Sequence, residues 1–239
     1  MTTDPDRPVA LAAYESLADD FAERAPERPW NADLERPATT NLLPDIEGQD
    51  VLDAGCGPGI TTTDLVGRGA NVVGVDVSPR MLSNACERIE TGADFVRLDL
   101  GSSFPFAANS FDLVHASLCF SYVRDWDTLF SELARVLRTE GIVVFSVGHP
   151  FADAVRLDPD DYFQTEAVTE TWDGLEPSVE MTFFRRSLEE TIAPLFRAGF
   201  VLDRLVETKP TEQFSEKDPE TYERVSREPT FLALRARRS

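Results

Sequence analysis

The residues best suited to chemistry are the run Asp53-Ala54-Gly55-Cys56-Gly57-Pro58-Gly59 and two later acids, Asp76 and Asp99. Glycines in such a run permit a tight turn and let a ligand approach backbone amides at a helix N-terminus. Asp76 closes Gly74-Val75-Asp76. It stands about 20 residues beyond the glycines, where a carboxylate at the tip of the next strand accepts hydrogen bonds from ribose hydroxyls. Asp99 ends a further apolar run, Val96-Arg97-Leu98-Asp99-Leu100, and is placed to accept from an exocyclic adenine amine. Asp53, directly ahead of the turn, decides what else the ligand carries. An acid there repels a pyrophosphate and suits an ammonium, and the turn reads G-x-G-x-G rather than the G-x-G-x-x-G of dinucleotide sites.

These residues require a parallel sheet to hold them. Residues 49–54 and 71–75 read as the first two strands, with a helix over about 60–68 between them. Ser78-Pro79 opens a helix to about residue 89, with Ser as N-cap and Pro at N1. Strands follow at 93–98 and 111–117, then a helix capped by Asp125 that ends near residue 138, and a fifth strand at 141–147. Such alternation predicts an α/β domain with a largely parallel sheet. Ahead of it, 9–25 and 31–43 read as helices, the first amphipathic through Leu11, Tyr14, Leu17, Ala18 and Phe21. The acidic, aromatic stretch from 150 to about 178 is expected to be an insertion over the sheet. A helix at 187–198 has Ser187 and Glu190 at capping-box spacing, a strand follows at 200–206, 209–228 reads as loop, and 230–234 is a last apolar run. The expected organisation is a single domain, with a helical cap at 1–44, a ligand-binding core at 45–148, an insertion at 149–186, and a C-terminal helix with two strands at 187–239.

Composition narrows the partners. The 43 Asp and Glu against 23 Lys and Arg leave a formal charge of −20, which opposes nonspecific binding to nucleic acid or to an anionic membrane. Only Lys209 and Lys217 are lysines. Self-repulsion on this scale is relieved by salt, so the reading favours a salt-adapted cytoplasm. No apolar run approaches the ~20 residues of a membrane span, and the N-terminus has early acids and no apolar leader, so a soluble cytoplasmic protein is expected. Cys56, Cys86 and Cys119 lack the spacing of a disulfide framework or a zinc site, and no metal is expected.

Three acids at three successive strand ends match a ligand bearing ammonium, ribose and adenine along its length, and S-adenosylmethionine has those groups in that order. The sequence also resembles the class I S-adenosylmethionine-dependent methyltransferases, closest to the small-molecule branch of ubiquinone and menaquinone biosynthesis, methyltransferase domain 11 type. The resemblance lies in VLDAGCGPGITT (51–62), VVGVDVSPRML (72–82), FVRLDL (95–100), FPFAANSFDLVHASLCFSYV (104–123) and LARVLRTEGIVVFSV (133–147), with SLEETIAPLFRAGFVLDRLVE (187–207) beyond them. It implies a Rossmann-like seven-stranded sheet of order 3-2-1-4-5-7-6, the last strand antiparallel, and helices on both faces. It further implies that Gly55, Gly57 and Gly59 line the methionine part, and that Asp53 faces its ammonium directly or through water. By the same resemblance Asp76 holds the ribose, Met81 packs on the adenine, Asp99 binds its amine, the amide of Leu100 meets a ring nitrogen, and Ser117 sits near the reacting methyl. The product is S-adenosylhomocysteine.

Weaker candidates surround this set. Tyr14 and Trp30 are placed to close over the cofactor or to pack on an apolar face, and Arg36 to pair with its carboxylate or to cap the surface. His149, after the fifth strand, is either a general base or an ordinary loop histidine; His115 reads as a core residue, Cys56 as filler, and Cys119 lacks the setting of a nucleophile. Tyr122, Phe151, Tyr162, Phe163 and Trp172 are candidates for an apolar wall around a small-molecule acceptor, or for packing under a cap. The run Ala116-Ser117-Leu118-Cys119-Phe120 has no Pro-Pro-aromatic motif, which disfavours transfer to adenine amines or glutamine. A cofactor-binding protein without transfer activity and a nucleotide-dependent oxidoreductase are the competing readings, and Asp53 and Asp99 argue against the second.

Overall fold

The computed structural model describes residues 8–239, so the reading of residues 1–7 as free of a leader lies outside the described residues. Strands β1 (Asp50–Ala54), β2 (Asn71–Asp76), β3 (Ala93–Arg97), β4 (Phe111–Ala116) and β5 (Leu137–Gly148) are joined by helices α3 (Ile60–Gly67), α4 (Pro79–Arg88) and α5 (Trp126–Val136). After an insertion come α7 (Leu188–Arg197), β8 (Phe200–Glu207) and β9 (Phe231–Arg238). The sheet order is β3-β2-β1-β4-β5-β9-β8, with β9 antiparallel to both β5 and β8. This is the expected α/β Rossmann-like arrangement; the two strands of the insertion account for the difference in numbering.

Strand residues alternate between two buried faces. Leu52, Val114, Phe145 and Leu234 join Phe120, Phe130 and Leu133 on one side. Val51, Val72, Leu113 and Val144 join Leu42, Ile46 and Leu65 on the other. Three N-caps form as their residue types predict: Ser78 accepts from the Met81 amide, Asp125 from Thr128 and Ser187 from Glu190.

Four segments differ from expectation. Strand β5 begins at Leu137 rather than 141, because residues between Leu137 and Ile142 bulge: Phe111 pairs with Leu137 but Leu113 with Ile142. Instead of a plain helix over 31–43, a π-helical turn, Trp30–Glu35, runs into a short α2 (Arg36–Thr40), preceded by α1 (Leu11–Arg24). The insertion is ordered as α6 (Pro150–Leu157) and a hairpin of β6 (Glu166–Trp172) with β7 (Val179–Arg185). Arg185, fully buried, holds the stretch between them by donating to the carbonyls of Asp161, Tyr162 and Gln164. The expected loop at 209–228 contains α8 (Glu212–Lys217) and α9 (Pro219–Val225), anchored by Phe214 and Val225 against Leu34. No helix of the described residues is long and apolar enough to cross a membrane.

Candidate functional site

The C-terminal ends of β1, β2, β3 and β4 open into a cavity of about 1060 Å³, roofed by α1, the π-helical turn, α6 and the hairpin. This is the crevice in which open α/β sheets bind ligands. The three glycines of the turn after β1 all have positive φ, for different reasons. A Cβ on Gly55 would lie 2.5 Å from the Cys119 Cβ, and one on Gly59 would lie 3.2 Å from Ala85 of α4. A Cβ on Gly57 would meet nothing within 4 Å. Gly55 and Gly57 line the cavity, whereas Gly59 serves the packing of α3 on α4; its expected place beside the methionine part is corrected accordingly.

Asp76, half-buried at the tip of β2, accepts from the Gly57 amide at 3.0 Å and from the Ser78 amide at 2.9 Å. Burial pushes its carboxyl up to about 6, against the pull of those amides. It has no cation beside it among the described residues. Met81, 1% exposed in the first turn of α4, lines the same cavity with Leu98, Asp99 and Leu100 after β3 and Ser117 after β4. One oxygen of Asp99 accepts from the Gly101 amide.

Asp53 is occupied: Oδ2 accepts from the Thr62 hydroxyl at 2.6 Å and Oδ1 lies 3.0 Å from His115 Nδ1, with 2% of the residue exposed. Its carboxylate ties β1 to α3 and β4. His115 is a core residue whose Nε2 is buried without a partner among the described residues. Burial raises the Cys56 and Cys119 thiols well above their ordinary range, so neither is poised as a thiolate; Cys119 donates to the Ala54 carbonyl.

Among the weaker candidates, Tyr14, Trp30 and Arg36 line the cavity. The Tyr14 hydroxyl is 2.8 Å from that of Tyr122, and burial raises both phenols. Trp30 packs edge-on against Phe214 and Phe231 under the Arg224 guanidinium. Arg36 donates to the Ala25 and Pro26 carbonyls. Arg28, which sequence reasoning passed over, lines the cavity and makes no ion pair with a described residue. Glu35 was also missed; nothing in local sequence marks it, because its position depends on the π-helical turn.

His149 does not line the cavity. It is the N-cap of α6: Nδ1 accepts from the Phe151 amide and Nε2 faces Glu207 at 3.1 Å, so both nitrogens are engaged away from any acceptor. Of the expected aromatic wall, Tyr122, Phe151 and Trp172 line the cavity, joined by Phe183. Tyr162 and Phe163 do not, since the Tyr162 hydroxyl accepts from the Leu188 amide and Phe163 faces solvent.

A parallel sheet with this strand order, an antiparallel penultimate strand, a glycine turn after β1 and a carboxylate at the tip of β2 defines the fold class of the S-adenosylmethionine-dependent methyltransferases. Residues 52–145 match the family described as methyltransferase domain. An S-adenosylmethionine-dependent methyltransferase structure from Mesorhizobium loti is 29% identical, with a TM-score of 0.69 over 84% of this chain and 96% of that one. One from Listeria monocytogenes is 25% identical, with a TM-score of 0.76 over 86% of this chain and 96% of that one. Demethylmenaquinone methyltransferase from Tropheryma whipplei is 34% identical over 116 residues, 48% of each chain. The chain spans about half the length of the curated relatives it matches.

S-adenosylmethionine is the cofactor of this domain family, and the residues present fit it. Asp76 lines the cavity without a counter-ion among the described residues, Gly57 leaves the space a side chain would fill, and Met81 and Leu100 line it beside Asp99.

Proposed function

We propose that this protein transfers a methyl group from S-adenosylmethionine to a small-molecule acceptor. The observation that carries the reading is Asp76, a half-buried carboxylate held by two backbone amides at the rim of the glycine turn, in the position that accepts two ribose hydroxyls. Met81 and Leu98 pack on the adenine, Asp99 takes its amine with the Leu100 amide at a ring nitrogen, and Gly55, Gly57 and Ser117 border the methionine part. Tyr14 and Trp30 close over it. Arg36 spends its donors on carbonyls, so the cofactor carboxylate falls to Arg28.

The cofactor supplies a methyl group already activated on a sulfonium. The chain's task is to align an acceptor atom behind that methyl and to limit water, a role that falls to α1, the π-helical turn and the hairpin, which line the cavity opposite the strand ends. The cavity's volume lies at the upper end of the ~300–1,000 Å³ range of small-molecule sites, room for the cofactor and a small acceptor. The acceptor enters between the N-terminal helices and the insertion 149–186, where Tyr122, Phe151, Trp172 and Phe183 offer apolar contact. The named relatives demethylmenaquinone methyltransferase and magnesium-protoporphyrin O-methyltransferase support an acceptor of small-molecule size. The charge of −20 disfavours nucleic acid and supports a salt-rich cytoplasm as the working environment.

Incubation with S-adenosylmethionine labelled in the methyl group, together with the small-molecule fraction of a cell extract, tests the reading. Label is expected in an extractable metabolite. Binding of the cofactor with no label transferred to any fraction would instead favour a protein that binds the cofactor without using it.

A further inference from the structure

The amino-acid end of the cofactor carries an ammonium, and the cavity must meet it with an acceptor. Asp53 also lines the cavity, but it is 2% exposed and each of its oxygens already serves a buried side chain, Thr62 on one and His115 on the other. Glu35 differs. It is 2% exposed, lines the cavity, and forms no ion pair with a described residue. Its Oε1 accepts from the Ser146 hydroxyl at 2.5 Å, and Oε2 accepts no hydrogen bond from any described residue. Ser146 in turn accepts from the Leu118 amide at 3.0 Å. The carboxylate is therefore fastened to the ends of β4 and β5, close to Cys119, whose thiol reaches the Ala54 carbonyl at 3.1 Å beside the glycine turn.

The π-helical turn is what aims it. Trp30, Asn31, Glu35 and Arg36 line the cavity, a repeat of five residues that matches i→i+5 bonding. An ordinary α-helical turn would bring residue 34 to that face, and Leu34 instead packs with Phe214 and Val225. The second oxygen of Glu35 is not among the buried unpartnered atoms, so it is open to the cavity with no cation beside it among the described residues, and an arriving ammonium gives it a charge-assisted partner.

We propose that Glu35, rather than Asp53, is the carboxylate that receives the α-ammonium of the cofactor, an assignment that rests on the S-adenosylmethionine reading above. Asp53 is then a tie between β1, α3 and β4, and Ser146 positions Glu35 by fixing one of its oxygens.

Calorimetric titration of the intact protein with S-adenosylhomocysteine and with 5′-methylthioadenosine tests this, because the second ligand keeps the nucleoside and thioether but lacks the amino-acid end. Glu35→Gln keeps an acceptor for Ser146 and the size of the side chain. It is expected to weaken S-adenosylhomocysteine at least tenfold, the scale of a charge-assisted hydrogen bond, and to leave 5′-methylthioadenosine within about twofold. Ser146→Ala, which removes the support without touching the carboxylate, is expected to produce a smaller loss with the same selectivity. Equal loss of both ligands, or no loss of either, in Glu35→Gln would overturn the assignment; should that variant not fold, the same pattern in Ser146→Ala decides it. Failure of the unaltered protein to bind either ligand would overturn the cofactor reading itself, whereas tight binding of both with an indifferent Glu35→Gln overturns Glu35 alone.

Discussion

Asp76 connects the buried geometry of the site to a pH dependence that can be worked out in advance. Two ribose hydroxyls can both donate only to an ionised carboxylate, and burial lifts this one to about 6, with Asp53, Cys56, Cys119, Tyr14 and Tyr122 the titratable groups facing it. If only the ionised form binds, the apparent dissociation constant scales as one plus the ratio of protonated to ionised Asp76. That factor is close to one at pH 7.5 and roughly ten at pH 5, about 1.4 kcal/mol. Calorimetry with S-adenosylhomocysteine at constant salt should therefore show an approximately tenfold loss of affinity between those pH values. Asp76→Asn should bind at least tenfold more weakly at pH 7.5 and show little further change on acidification. Folding responds in the opposite sense. The native state holds this proton more tightly than the unfolded chain, whose carboxyl titrates near 3.8, so stability contributed by the protonated form is lost as pH rises from about 4 through 6. The loss is on the order of 3 kcal/mol in the unliganded protein. A flat affinity profile in the unaltered protein, or the same decline in Asp76→Asn, would refute the assignment of the ribose to this residue.

Other outcomes follow from the same geometry. Gly59→Ala should destabilise the fold by about 1–3 kcal/mol in chemical denaturation, since a Cβ there meets Ala85 at 3.2 Å with φ at +78°, while the cofactor affinity of the folded fraction survives. Gly57→Ala, whose Cβ points into open space, should cost only about 1 kcal/mol of stability yet weaken S-adenosylhomocysteine, and unchanged affinity would contradict its place at the ligand. His149→Ala should lower stability by about 1 kcal/mol through loss of the α6 cap and leave cofactor affinity unchanged in calorimetry; a lost affinity would return His149 to the site. With a charge of −20, unfolding followed in KCl from about 0.1 M to molar should show stability rising with salt, and equal stability at both ends would remove the case for a salt-adapted protein.

What could be read in advance was whatever depends on local pattern. The strand, glycine turn, helix and Asp76 follow one another within 27 residues, and their spacing announces both the sheet and the nucleoside end of the site. The antiparallel β9 was visible as a last apolar run at 230–234, and its place in the sheet came from the family resemblance rather than from the run itself. The features that escaped depend on partners distant in sequence. Glu35 reaches the cavity through a π-helical turn whose repeat no apolar periodicity reveals, and its fixing partner Ser146 lies 111 residues away. Helices α8 and α9 are polar except for Phe214, Tyr222 and Val225, which pack on Leu34 and Trp30, so composition alone resembled a loop. His149 stood at the right strand end with the wrong orientation, because the Pro150 that follows starts a helix and turns the imidazole into its cap. Gly59 belongs to a motif whose other glycines face the ligand, and only the crossing of α3 and α4 separates its role from theirs.

The central claim is that the cavity at the ends of β1 to β4 is an S-adenosylmethionine site. Parallel calorimetric titrations of the intact protein with S-adenosylhomocysteine and with NAD, at pH 7.5 in molar KCl, test it most directly. Stoichiometric binding of S-adenosylhomocysteine with no measurable heat from NAD is the predicted result; binding of NAD without S-adenosylhomocysteine would contradict the account.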